Sequence, residues 1–199
     1  MSDRIEARDA GLNRSIDEGL LLDALHDTGG RRVLVVTASR HGSTREIGDA
    51  VAAALNAVGC TATSQDVDEV GSVVDYDVVV LGSAIYRGRW LPSASALVKR
   101  QRGALLERPV WLFSSGPVGD PDRRLVKTMG LATTELARLT AAIRPADHRL
   151  FPGRLEPADL SLPQRAAVRL VRLAGDFRDW PQIVAYADDI ARTISTVSR

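Results

Sequence analysis

"VLVVTASRHGSTREI" (Val33–Ile47) joins two different periodicities across one short loop. Val33 to Val36 is apolar at every position, too short and too uniform for an amphipathic surface helix. It reads as a strand buried on both faces. From Thr44 the pattern changes: Ile47, Val51, Ala54, Leu55 and Val58 recur on one helical face, and Gly59 ends the run. Between them the loop Thr37 to Thr44 concentrates small hydrogen-bonding groups: the hydroxyls of Ser39, Ser43 and Thr44, with Gly42 to permit a tight turn. A buried strand, a polar loop and a helix in that order predict an α/β unit whose loop faces a ligand.

The same alternation continues along the chain. Thr61–Asp66 is a weaker strand; "YDVVVLG" (Tyr76–Gly82) and "VWLFS" (Val110–Ser114) are two more buried strands; His148–Phe151 is a short fifth. Helical patterns cover Ser93–Leu106 behind Pro92, Pro121–Ile143 with an interruption near Gly130, Ser161–Ala174 and Asp179–Ile194. Strands apolar on both faces belong in a parallel sheet covered by helices. Right-handed crossovers then give an α/β, three-layer, doubly wound, five-stranded parallel sheet. Residues 31–199 are read as one such domain, with Phe151–Gly175 inserted before the last helix. Residues 1–30 form an extension. Within it Ser15 to Glu18 is a capping box and Ile16, Leu20, Ala24 and Leu25 follow at helical spacing, a short helix suited to cover a sheet edge or to meet a second copy in a homodimer.

Composition excludes several classes. The single cysteine, Cys60, allows no intrachain disulfide and no cysteine-based zinc site. A net charge of +1 is too mild for a nucleic-acid binder, and no Lys/Arg block is interleaved with aromatics. No run reaches the ~18 apolar residues of a membrane span, and the N-terminus lacks a signal-peptide core. The expectation is a cytoplasmic protein. No His/Asp/Glu cluster has metal-ligand spacing. Of the three histidines only His41 lies in a strand-end loop, and no side chain is an evident acid or base.

In a doubly wound fold, ligands bind beyond the carboxyl ends of the strands, where strand order reverses. Three loops leave those ends: Thr37–Thr44, Ser83–Trp90 and Ser115–Asp120. The first precedes a helix N-terminus, whose free N–H groups and dipole favour a phosphate; the alternative is an ordinary capped loop. No Lys follows Gly42, so this is no Walker A loop, and no GxGxxG occurs anywhere. Hydroxyls and amides without Lys or metal carboxylate suit a monoester that is bound and not cleaved.

The arrangement resembles the flavodoxin family, whose first loop, S/T-x-T-G-x-T, holds the phosphate of FMN. Here Ser39, Arg40, His41, Gly42, Ser43 and Thr44 stand in that loop, with His41 where the family has Thr. The second loop, "GSAIYRGRW", is similar to the Gly-x-x-Ile-x-x-Gly stretch of the menaquinone-dependent protoporphyrinogen dehydrogenases. The resemblance implies that Ser83, Ala84, Ile85, Tyr86, Arg87 and Gly88 line the flavin ring. In the third loop, "SSGPVGDP", it implies Ser115, Gly116, Pro117 and Gly119, small residues that let backbone approach a planar ligand. The tail Phe151–Ile190, with its basic helix and an Asp-Trp pair opening the last helix, resembles the same subgroup.

The resemblance implies an FMN-dependent oxidoreductase that acts on a small-molecule redox substrate of the porphyrinogen type with a quinone acceptor. The alternatives are a flavodoxin-type electron carrier and a flavin-free interaction module. Carriers of this kind are strongly acidic, and this chain is not. Arg165, Arg169 and Arg172 share one face of a predicted helix, which suits either peripheral contact with the inner face of a membrane or a solvated charged face.

Overall fold

The computed structural model describes residues 30–86, 88–116, 134–155 and 175–196. Five strands form the parallel sheet: β1 (Arg32–Ala38), β2 (Thr61–Asp66), β3 (Val78–Tyr86), β5 (Val110–Ser115) and β6 (Asp147–Phe151), in the order β2-β1-β3-β5-β6. A two-residue strand β4 (Arg89–Trp90) folds back antiparallel on the end of β3, pairing Ile85 with Trp90 and Tyr86 with Arg89. Strands β7 (Arg154–Leu155) and β8 (Gly175–Asp176) make a separate ribbon at the base of the insertion. The strand order reverses between β1 and β3.

Strand periodicity sorts β1 into two cores. Val33 and Val35 face one cluster with Ile47, Val51 and Leu55 of α1 (Ser43–Ala57) and Tyr186 and Ile190 of α5 (Trp180–Thr196). Leu34 and Val36 face the other. There they meet Leu97 of α2 (Pro92–Arg100), Leu105 of α3 (Arg102–Leu106) and Leu139 of α4 (Thr134–Ile143). Each such side chain contributes roughly 1.5–3 kcal/mol when fully buried, so both helical layers hold the sheet flat-on and fix where its strand ends lie.

Two boundaries depart from expectation. β3 starts at Val78 and runs on to Tyr86, so Ser83 to Tyr86 are strand and not loop. Small residues have little strand preference of their own; here pairing imposes it, because Ala38 lies opposite Ser83 and Ser115 opposite Ala84. Ser93–Leu106 is broken into α2 and α3 at Gln101, whose φ of −102° leaves the helical range. The break is tied to the turn before β3: Arg100 donates to Val70 O at 3.1 Å and Gln101 to Gly71 O at 2.9 Å. Arg108 fastens the same turn by donating to the carbonyls of Val73, Val74 and Tyr76, and ties it to α3 through Ala104 O. The expected helices at 1–30 and Ser161–Ala174, and the start of Pro121–Ile143, lie outside the described residues.

Gly82 makes room for an aromatic ring. A Cβ built there would lie 2.0 Å from Cζ of Phe113, whose ring packs against Phe151 and Tyr186 at centroid distances of 5.9 and 6.5 Å. Gly82→Ala is expected to destabilise by about 3 kcal/mol, the upper end of ordinary overpacking. Phe113→Leu should recover part of that loss in the double variant. Denaturant unfolding of the four proteins checks this; additive losses would place the strain elsewhere.

Candidate functional site

The three strand ends that meet at the reversal point are those of β1, β3 and β5. α1 begins directly after β1, and its N-cap is Gly42 at φ 83°, ψ −24°, the left-handed region that Gly adopts without strain. Gly42 has no side chain to cap with, and among the described residues the helix start has no side-chain cap hydrogen bond. The first-turn amides of a 15-residue helix are therefore left for another acceptor, at its positive end. Ser43 is the first helical residue and Thr44, 1% exposed, the second. At the foot of this loop Thr37 Oγ1 is buried without a hydrogen-bond partner among the described residues. An uncapped helix start, an orphan hydroxyl beside it and hydroxyls on both sides of a left-handed Gly fit a phosphate.

The loop and the β3–β4 hairpin come together. The Arg40 guanidinium carbon lies 5.5 Å from the Tyr86 ring centroid, and the His41 ring 6.4 Å from it. Arg40, His41 and Tyr86 are all exposed, so the loop residues and the aromatic plane share one open surface. Ile85 is half-buried beside them and Gly88, at φ 76°, turns the hairpin. Ser83 is wholly buried and committed to the scaffold: its hydroxyl donates to Ala84 O at 3.0 Å and accepts the Leu91 N–H at 3.0 Å. At the end of β5, Ser115 is buried and Gly116, at φ 101°, gives its N–H to Phe151 O at 3.0 Å. A Cβ on Gly116 would lie 3.7 Å from Ile85 O, so the ends of β3 and β5 are close. Arg87, Pro117 and Gly119 lie outside the described residues.

Residues not singled out from the sequence also converge on α1. The Arg154 N–H donates to Ser43 Oγ at 3.1 Å, and its guanidinium to Glu46 Oε1 at 2.9 Å. Arg178, with only 4% of its side chain exposed, donates to Glu46 Oε2 at 2.5 Å and to Asp176 at 2.8 and 2.6 Å, and stacks 4.5 Å over Trp180. The Asp176 carboxyl, hydrogen-bonded by Arg178, is held below its ordinary value, and the Arg178 guanidinium is pushed up. This clamp joins the β7–β8 ribbon to the first turn of α1. Glu46 lies more than a hundred positions from both arginines, so no local pattern announced their meeting.

A cavity of about 290 Å³ lined by Trp111, Asp147, Arg149, Tyr186 and Asp189 lies at the other end of the sheet, where β5 and β6 begin. Among the described residues no helix is long and apolar enough to cross a membrane, and no group of His, Cys, Asp and Glu is placed to hold a metal.

Two substitutions test the site as built. A phosphate held at this loop, the FMN phosphate that the resemblance implies, predicts that Thr44→Val weakens FMN binding about tenfold or more, the value of a hydrogen bond to a charged group, without lowering stability; equilibrium titration of the apoprotein with FMN measures it. Arg178→Ala should cost about 1 kcal/mol, because it removes the charged hydrogen bonds to the half-exposed Asp176 carboxylate while Glu46 keeps Arg154. The Asp176 contribution is complete above its unfolded value near 4 and is lost as pH falls through its depressed folded one. The gap between wild type and Arg178→Ala in unfolding experiments should therefore narrow toward pH 2.

Residues 34–177 match the Flavodoxin domain family. The protoporphyrinogen IX dehydrogenase [quinone] of Escherichia coli K12 is 25% identical over 173 residues, which span 80% of this chain and 94% of that protein. Among solved structures, a flavodoxin from the domain Archaea superposes with a TM-score of 0.53 at 12% identity, covering 82% of this chain and 99% of that one. An oxidoreductase of Corynebacterium diphtheriae gives 0.51 at 16% identity, covering 85% and 98%. The rubredoxin oxygen:oxidoreductase of Desulfovibrio gigas gives 0.57 at 15% identity; the match covers 84% of this chain but only 37% of that larger one. These structures establish the fold, and the family match sets aside a flavin-free scaffold. The chain belongs to the flavodoxin domain family, as an FMN-binding protein with a redox role.

Proposed function

We propose that this protein is an FMN-dependent oxidoreductase that takes electrons from a porphyrinogen-type substrate and passes them to a quinone. One observation carries the reading. The similarity to the E. coli quinone-dependent dehydrogenase runs over 94% of that protein, not over the phosphate loop alone. Residues 31–199 act as one flavin-binding domain in this reading.

The α1 amides with Ser39, Arg40, His41, Gly42, Ser43 and Thr44 would hold the FMN phosphate. Ser83, Ala84, Ile85, Tyr86, Arg87 and Gly88, with Ser115, Gly116, Pro117 and Gly119, would hold the ring. Bound flavin supplies the redox chemistry: an electron pair leaves the substrate with its protons and is delivered to the quinone, which departs as quinol. The chain's own part is to seat the phosphate, to cover the ring and to admit the substrate. Ser83 acts at one remove, by holding the hairpin to Leu91. Arg40 lies over one face of Tyr86, so a planar ligand on this surface would use the other face of that ring.

A diffusible electron carrier is the second reading, favoured by the superposition on an archaeal flavodoxin over 99% of its length. Net charge weighs against it. A near-neutral surface at +1 lacks the single-sign field that guides a carrier to its partners.

The protein reconstituted with FMN should oxidise protoporphyrinogen anaerobically only when a quinone is supplied, at least tenfold faster than free FMN does. Formation of fluorescent porphyrin reports the rate. Background oxidation with quinone present, together with rapid electron exchange with a flavodoxin reductase, would establish the carrier instead.

A further inference from the structure

The hairpin that carries Tyr86 is short. Its return strand is only Arg89–Trp90, and a ribbon of that size does not hold itself in water. Trp90 is the anchor. Its side chain is 4% exposed and its indole Nε1–H donates to Ser114 Oγ at 2.8 Å. Ser114 Oγ also lies 2.8 Å from Nε2 of His148 on β6, and the His148 ring meets the indole edge-on at a centroid distance of 6.4 Å. One chain of hydrogen bonds thus links β4, β5 and β6.

The direction of these bonds follows from what each group can do. An indole N–H only donates, so the Ser114 oxygen receives it. Ser114 is wholly buried, and its single proton then needs an acceptor. Among the described residues that acceptor is His148 Nε2, which must carry a lone pair, so the imidazole is neutral with its proton on Nδ1. Were the ring protonated, Nε2 would also donate to Ser114, and the hydroxyl proton would lose its acceptor inside the protein.

The surroundings agree. Burial, the larger effect, draws the His148 pKa below its ordinary value, against the pull of the Asp147 carboxylate on the same strand. Trp90 and Ser114 are uncharged. α4, which packs on β4, brings Leu136, Leu139 and Ile143 to this core. Arg149, the next residue on β6, is paired with Asp147 and Asp189 and stacks over Tyr186 in the opposite core.

We propose that neutral His148 is a positioning residue for the flavin site: through Ser114 it holds the Trp90 indole, and with it the hairpin bearing Ile85, Tyr86 and Gly88. FMN affinity then falls when the ring takes up a proton. The claim rests on the placement of the flavin against this hairpin.

The test has two arms. In the ¹⁵N-labelled apoprotein, the ring nitrogens of His148 should report the Nδ1–H tautomer at pH 8, and the Trp90 indole signal should shift as His148 titrates below pH 6.5. An Nε2–H tautomer, or an indole signal indifferent to that titration, overturns the proposal without involving flavin. In the second arm, FMN is titrated at pH 8 and pH 5 into wild type and His148→Gln. Gln offers an amide oxygen near the position of Nε2 but does not titrate. The variant should match wild type at pH 8. Wild type should lose about fivefold more affinity than the variant on acidification, the lower end of ordinary coupling between two sites. Equal losses overturn the positioning role alone. No FMN binding at either pH overturns the placement of the flavin as well, while the tautomer still reports on the hydrogen-bond chain.

Discussion

The start of α1 governs the arrangement around it. A helix that begins on a left-handed Gly cannot cap itself, and an anion is the natural partner for its free amides. That requirement places the helix start at the surface, at the carboxyl end of β1, with the reversal of strand order beside it. The packing obeys the same requirement. α1 approaches β1 so closely at Gly48 that a Cβ there would lie 2.3 Å from the Thr37 methyl. The Arg154 and Arg178 clamp on Glu46 then fixes the first turn from the outside. Glu46, the acidic residue of that turn, is engaged by arginines and does not compete for the amides.

The fold was legible because its signals are local. Val33–Val36, Val78–Leu81 and Val110–Phe113 are apolar on both faces, and only a sheet covered on both sides buries such runs. The odd and even residues of β1 do go to opposite cores. What local pattern could not convey was the length of β3. Ser83 and Ala84 have no strand signature, and they extend the strand because Ala38 and Ser115 pair with them. The break at Gln101 has the same origin, since the groups that hold it are carbonyls thirty residues upstream.

The site divides along the same line. The proposed phosphate loop is contiguous, so its polar pattern stands in six successive residues. The hairpin was read as a loop touching a ring. In the structure it is a strand whose inner face, Ser83 and Trp90, is committed to support while Tyr86 remains outside. Trp90 faces inward to Ser114. The supporting residues Ser114, His148, Arg154 and Arg178 were out of reach, because each acquires its role from a partner distant in sequence. Polar residues that brace a ligand loop from behind have no spacing rule.

The β7–β8 ribbon has a consequence of its own. Arg154 pairs with Asp176 and Leu155 with Gly175, so the two ends of the segment between them are stapled side by side before that segment starts. The entropy of closing it is met at the neck and grows only logarithmically with what is spliced in. The scaffold can therefore exchange that segment for one of another length or chemistry while the geometry at the start of α1 stays unchanged, a socket for variation mounted beside a fixed helix end.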